Sequence, residues 1–345
     1  MRLGVLDQSP LRSGVSPEVA LGESVTLARA AEAFGYDRYW LAEHHGSSGL
    51  VGAAPEILIA RIAAATETIR VGSGGVMLMH YSPYKVAEQF RVLETLFPGR
   101  IDLGIGRAPG ADPRTTAALS YGNQIGMEYF AAKVADLAAW VTGATPHTRA
   151  LAEVRVTPMG EHHPELWLLG STDQSAQLAA HLGIRFAFAH FIAPDHAAAV
   201  LRLYRERFRP SPQLAEPEAS LAVFALCAED AEEASDLARC RDLWRRRLAS
   251  GGEPGPWPTV QEARAALGDE VAAQGEASRH AIAGPPGDVR TRLEALAEET
   301  GVEHCTVVTI TPTFAQRLRS YELLADAFGL RSSAPGTVER SAATR

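Results

Sequence analysis

Cysteine is scarce. Cys227, Cys240 and Cys305 are the three in the chain, and they form neither a CxxC pair nor a metal-ligand spacing. A reducing cytoplasm fits this better than a disulfide framework. HxH and paired-carboxylate spacings are also missing, so no metal is expected. No apolar run approaches the roughly 20 residues that span a bilayer. The opening Met1–Asp7 is too short and turns polar too soon for a signal peptide. Basic blocks are absent too, and the net charge is −8, from 33 Lys and Arg against 41 Asp and Glu. That balance argues for solubility and against a general nucleic-acid surface. A local anion site remains open, because backbone N–H groups and a single Arg suffice to build one.

What is present is a repeated strand-then-helix layout. The chain has 345 residues, 46% apolar and 21% charged, enough to bury a sizeable core. Leu3–Leu6, Tyr39–Leu41, Ile69–Met77 and Ile101–Gly106 read as buried strands. Helices opening at Pro17, Pro55 and Pro83 separate them. Strands at Leu166–Gly170, Arg185–Ala189, Leu221–Cys227 and His304–Ile310 follow, each with helical sequence after it. Repeated βα units imply a parallel sheet with right-handed crossovers. Eight of them favour an α/β fold of the (β/α)8 TIM-barrel type over an open doubly wound sheet. Strand order is not written in sequence, so the open sheet stays an alternative. The expected organisation is one barrel domain over residues 1–330, with excursions near 111–163 and 231–281 and a disordered tail at 331–345.

Chemistry gathers at the strand ends, where parallel α/β folds place their ligands. The second strand stops in Glu43-His44-His45 and then a Gly/Ser loop. A carboxylate and two imidazoles there can move protons near neutral pH, although a strand-end His pair can also merely cap backbone groups. Gly104-Ile105-Gly106-Arg107-Ala108-Pro109-Gly110 fails as a dinucleotide fingerprint, because its third Gly is displaced and a Pro intrudes. It reads better as a thinned strand end with Arg107 offered to a phosphate, or as a turn whose Arg pairs with a surface carboxylate. Gly170-Ser171-Thr172-Asp173-Gln174-Ser175 joins a strand to a helix and can cap that helix or present N–H groups to an anion. Gly72-Ser73-Gly74-Gly75 is odd inside a strand, and a flat cofactor against bare backbone would explain it. His80 and His190 are further strand-end histidines.

Taken together, Tyr39–His45, Val71–Met79, Gly99–Gly110, Leu168–Gly183 and Gly284–Gly301 resemble the luciferase-like flavin-dependent oxidoreductase family, in the same order along the chain. The match is closest to members carrying Asp-Gln-Ser-Pro after the first strand, as Asp7–Pro10 do here. The resemblance implies a (β/α)8 barrel, reduced FMN as cosubstrate, O2 as oxidant, a separate flavin reductase and a homodimer on helices near the second and third units. It implies catalytic roles for Glu43, His44 and His45, phosphate contact by Arg107, and a phosphate loop over Gly170, Ser171, Thr172 and Ser175. It also puts a non-prolyl cis peptide at Gly74-Gly75, and Gly106 and His190 beside the flavin. Luciferase has Cys where this chain has Gly106, so light emission is not implied. The expected function is oxidation of a small organic substrate by a monooxygenase. A deazaflavin (F420)-dependent hydride-transfer enzyme and a non-catalytic partner subunit are the alternatives on the same barrel.

Overall fold

The computed structural model describes residues 1–108, 110–121, 126–251, 253–268 and 280–330. Seven strands pair in chain order, all parallel: β1 (Arg2–Asp7), β2 (Arg38–Leu41), β3 (Arg70–Met77), β4 (Ile101–Gly106), β5 (Glu165–Gly170), β6 (Arg185–Ala189) and β7 (Ala219–Cys227). A short β8 (Ile282–Gly284) pairs only with the carboxyl end of β7. The last strand, β9 (His304–Val308), pairs with both β7 and β1 and closes the ring. The sheet is therefore a closed eight-stranded parallel barrel with one added strand, which removes the open-sheet alternative.

Around it lie α1 (Pro17–Phe34), α2 (Pro55–Ala63), α3 (Pro83–Leu96), α4 (Pro113–Ser120), α5 (Phe130–Thr142), α6 (Asp173–Leu182), α7 (Ala197–Arg207), α8 (Ala231–Ala249), α9 (Val260–Leu267), α10 (Pro286–Thr300) and α11 (Phe314–Phe328). Their limits follow from the sequence. Proline opens α1, α2, α3, α4 and α10, where its missing N–H costs nothing. A left-handed glycine ends α1, α5, α6, α10 and α11.

Two apolar layers result. One lies between strands and helices, and the other fills the barrel with Leu6, Trp40, Trp167, Phe224, Val308 and Ile310 among others. The amino-terminal end of the barrel is closed by charge. Asp102 is fully buried and accepts from Arg38 (3.1 Å), Arg70 Nε (2.8 Å) and the Trp40 indole (2.8 Å). The Arg38 guanidinium lies 4.9 Å from the Trp167 ring centre. That end is plugged, and two cavities lie at the carboxyl ends of the strands.

Two local readings change. Helix α4 was not foreseen, although Asp112-Pro113 is its capping signal: the Asp112 carboxylate accepts the N–H groups of Arg114 and Thr115. The glycines of β3 have a reason inside the protein. A Cβ on Gly72 would strike the Asp102 carbonyl, one on Gly75 would sit 2.8 Å from the Gly104 carbonyl oxygen, and one on Gly74 would sit 2.5 Å from Leu6. The β3–β4 register shifts between Ser73 and Val76, and bare backbone lets the two strands meet there. The expected tail at 331–345 lies outside the described residues.

Candidate active site

Glu43 follows β2 and is 1% exposed. Its Oε1 accepts the Tyr81 hydroxyl (2.7 Å) and His45 Nε2 (2.6 Å), and its Oε2 accepts the Met77 N–H (2.9 Å). A carboxylate can only accept, so the network puts the proton of His45 on Nε2. Glu43 thus fastens β2 to the end of β3 and fixes one imidazole.

The neighbouring imidazole is different. His44 is held by its backbone N–H to the Gly52 carbonyl (2.9 Å), while its ring Nδ1 is buried with no partner. Burial, with His45 beside it, lowers its pKa to about 4. His44 is therefore a neutral base at physiological pH. The structure separates the expected trio into a tied pair, Glu43 and His45, and an untied His44.

Two adjoining cavities open at the strand ends. The first, about 610 Å³, has Leu6, Trp40, Gly74, Gly75 and Gly106 in its wall. The Gly74-Gly75 peptide is cis. A Cβ on Gly106 would meet nothing within 4 Å, so the space there is open. Arg107, Gly170, Ser171, Thr172, Gln174 and Ser175 belong to the same wall. Among the described residues Arg107 makes no ion pair, and its Nη1 donates to the Gln174 side chain (3.1 Å). Thr172 caps α6 in a reciprocal box with Ser175, whose hydroxyl also donates to the Thr172 carbonyl (2.6 Å). The hydroxyls thus serve the helix end first, and that end turns its positive pole toward Arg107's side of the cavity.

His190 is placed differently from the expectation. It is 6% exposed at the end of β6 and lies in neither cavity wall, whereas Phe191 and Ile192 lie in both. Its Nδ1 has no partner, and burial together with His280 lowers its pKa to about 4.

The second cavity, about 780 Å³, has His44 and His45 on one side and Arg241, Trp244, Arg245 and Trp257 on another. Gln8, His44, Gly110, Phe191 and Ile192 belong to both cavities. Gln8 and the α8 residues were not picked out from sequence. Gln8 could have been, since it directly follows β1. In the Asp7-Gln8 pair, Asp7 is buried and bonded to Arg317 (2.7 Å) and Tyr39 (2.6 Å), so its role is to hold α11. Among the described residues no group of three His, Cys, Asp or Glu could hold a metal, and no helix is long and apolar enough to cross a membrane.

The family model for luciferase-like monooxygenases matches residues 1–304. The chain belongs to the luciferase-like monooxygenase family. Among curated members of that family, an N-acetyl-S-alkylcysteine monooxygenase of Bacillus subtilis (strain 168) is 36% identical, over 95% of this chain and 98% of its own. A crystal structure of apo-MsnO8 superposes with TM-score 0.87 at 39% identity, covering 95% of this chain and 98% of that one. At 21% identity, the oxygenating constituent of 3,6-diketocamphane monooxygenase from Pseudomonas putida, in complex with FMN, shares the fold with TM-score 0.66 over 94% of this chain and 96% of its own. Membership among luciferase-like monooxygenases makes the chain an oxidoreductase.

Proposed function

We propose that the chain is an FMN-dependent monooxygenase of the two-component type, which takes reduced FMN from a separate reductase and uses O2 to oxidise a small organic substrate. The observation that carries this reading is the first cavity. It offers a bare-backbone floor at Gly74-Gly75 and an Arg107 that, among the described residues, pairs with no carboxylate beside the α6 N-terminus. A flat ring and a phosphate, the two ends of FMN, call for those two features. Its volume lies within the range of about 300–1,000 Å³ usual for ligand pockets.

Bound reduced FMN supplies the two electrons that let one atom of O2 enter the substrate while the other leaves as water. The protein's own part is to position and to move protons. Arg107 and Ser171 hold the phosphate end. Leu6 and Trp40 shield the ring end from water. His44, neutral and in the wall of both cavities, takes or returns a proton between them. Glu43 and His45 keep the β2 and β3 ends together beneath it. This catalytic equipment argues against a non-catalytic partner subunit.

The reading includes a cytoplasmic homodimer. Ile57 on α2 and Val92 and Leu96 on α3 are exposed apolar side chains on neighbouring helices, which suits an interface there. The reductase follows from the family resemblance. The test is titration of the purified chain with FMN and, separately, with a deazaflavin, followed by oxygen uptake with chemically reduced FMN. FMN binding and substrate-dependent oxygen uptake are expected. Binding of the deazaflavin alone would replace this reading with hydride transfer.

A further inference from the structure

We propose that the second cavity is a binding site for an apolar organic acid, with Arg241 and Arg245 of α8 clamping its carboxylate. This rests on the reading that the first cavity takes the flavin. The two guanidinium groups, Trp244 and Leu248 occupy positions i, i+4, i+3 and i+7 of α8, a single helix face, and all four belong to the cavity wall.

Arg241 is the anchor. It is 4% exposed, and a buried cation needs a compensating anion. Among the described residues it meets the Asp242 carboxylate at 3.4 Å from Nη1, the His280 carbonyl (3.1 Å) and the Phe224 ring (4.7 Å). Burial and the neighbouring Arg245 lower its pKa to about 10, against the opposing pull of Asp242. Arg245 is exposed and, among the described residues, makes no ion pair. The carboxylates in the same wall are committed elsewhere: Asp112 caps α4, and Glu253 accepts the Ser48 N–H (3.2 Å) and hydroxyl (2.8 Å).

Beside the arginines the wall carries an apolar stretch of Leu50, Phe224, Trp244, Leu248 and Trp257, with His44 and His45 across from it. The Trp244 and Trp257 rings lie 5.5 Å apart, and the Trp257 indole N–H is buried without a partner. A ligand held by its carboxylate at α8 would lay its apolar body on these rings. Its far end would reach His44, which belongs to both cavities. The B. subtilis relative is named for N-acetyl-S-alkylcysteine, which carries one carboxylate and an apolar tail on an oxidisable sulfur.

A matched pair of probes tests this: N-acetyl-S-benzylcysteine and its primary amide, titrated calorimetrically into the full chain with and without saturating FMN. The acid should bind about tenfold or more tighter than the amide, the size of one charge-assisted hydrogen bond. Arg241→Met should erase that preference. Arg245→Gln, at an exposed position of the same face and harmless to folding, should reduce it several-fold, and neither should change amide binding. Equal binding of acid and amide, binding of neither at millimolar concentration, or an unchanged preference in Arg245→Gln would overturn the proposal. So would displacement of FMN by the acid, which would put the carboxylate in the phosphate niche. Failure of FMN to bind while the acid keeps its preference would instead sink the flavin reading and leave the clamp standing.

Discussion

Replacing Glu43 by Gln tests how the β2 and β3 ends are held. The carboxylate collects three donors on two oxygens: Tyr81 and His45 on Oε1, and the Met77 N–H on Oε2. An amide has a single acceptor oxygen. Its best orientation keeps Tyr81 and His45 on that oxygen and turns its NH2 against the Met77 N–H. One charge-assisted hydrogen bond is then lost, worth about 1.5–3 kcal/mol, and the two survivors fall to the neutral range of about 0.5–1.5 kcal/mol each. Relief from burying a charge offsets part of this. The expected net loss is about 2–4 kcal/mol at pH 7.5, read as a drop in urea midpoint at unchanged slope. Glu43→Ala should lose at least as much, since it leaves all three donors unpaired. A Glu43→Gln loss under about 0.5 kcal/mol would refute the reasoning, because an all-donor shell cannot accept an amide at so little cost.

Other outcomes follow from the same site. His44→Ala should slow substrate oxidation by about 10²–10⁴ and leave FMN affinity unchanged. His45→Ala should instead show a lower urea midpoint, and equal kinetic losses with equal stability in the two variants would contradict the split. Arg107→Ala should weaken FMN binding by about 1.5–3 kcal/mol in a fluorescence titration, and an unchanged dissociation constant would remove Arg107 from the site. Stability should fall as pH drops from about 6.5 toward 4: His44 and His190 are held near 4 in the fold, the unfolded imidazoles bind protons from about 6.5 downward, and protons therefore favour unfolding. His190→Phe should flatten that pH dependence, and a midpoint constant across the window would deny both depressed values. Leu96→Glu should shift the sedimentation coefficient toward that of a monomer, and a wild-type protein already monomeric would dispose of the homodimer.

Much of the barrel was legible because its strands are short apolar runs with Gly or Pro on either side. The Pro-started, Gly-ended helices made the alternation plain. Strand β8 escaped because its three residues pair only with the carboxyl end of β7. The Glu43-His44-His45 stretch announced a site, yet its division of labour depended on Tyr81 and Met77, brought from the next unit. Gly72 and Gly75 pointed correctly to close backbone approach, but the neighbour is first of all strand β4. Arg107 and the α6 cap were visible as separate weak signals, and only the closed ring puts them in one wall. The α8 face stayed hidden. Arg241 and Arg245 sit in a charged, Ala-rich stretch that reads as an excursion from the barrel, and burial of Arg241 is a tertiary fact. His190 lies in neither cavity wall, since a strand-end position does not decide whether a side chain faces the cavity or the packing beside it.

The strand contacts at Gly72, Gly74, Gly75 and Gly104 also limit how this scaffold can be re-engineered. A side chain added at any of them collides with the protein before it reaches a ligand. Directed evolution would thus find these β3 and β4 positions nearly closed to mutation, with Gly106 as an opening where a small side chain has room. The α8 face stands apart from these glycine contacts and lines the second cavity. Libraries that randomise positions 241, 244, 245 and 248 together with 106 should change which molecules are accepted, while the backbone that frames the first cavity stays as it is.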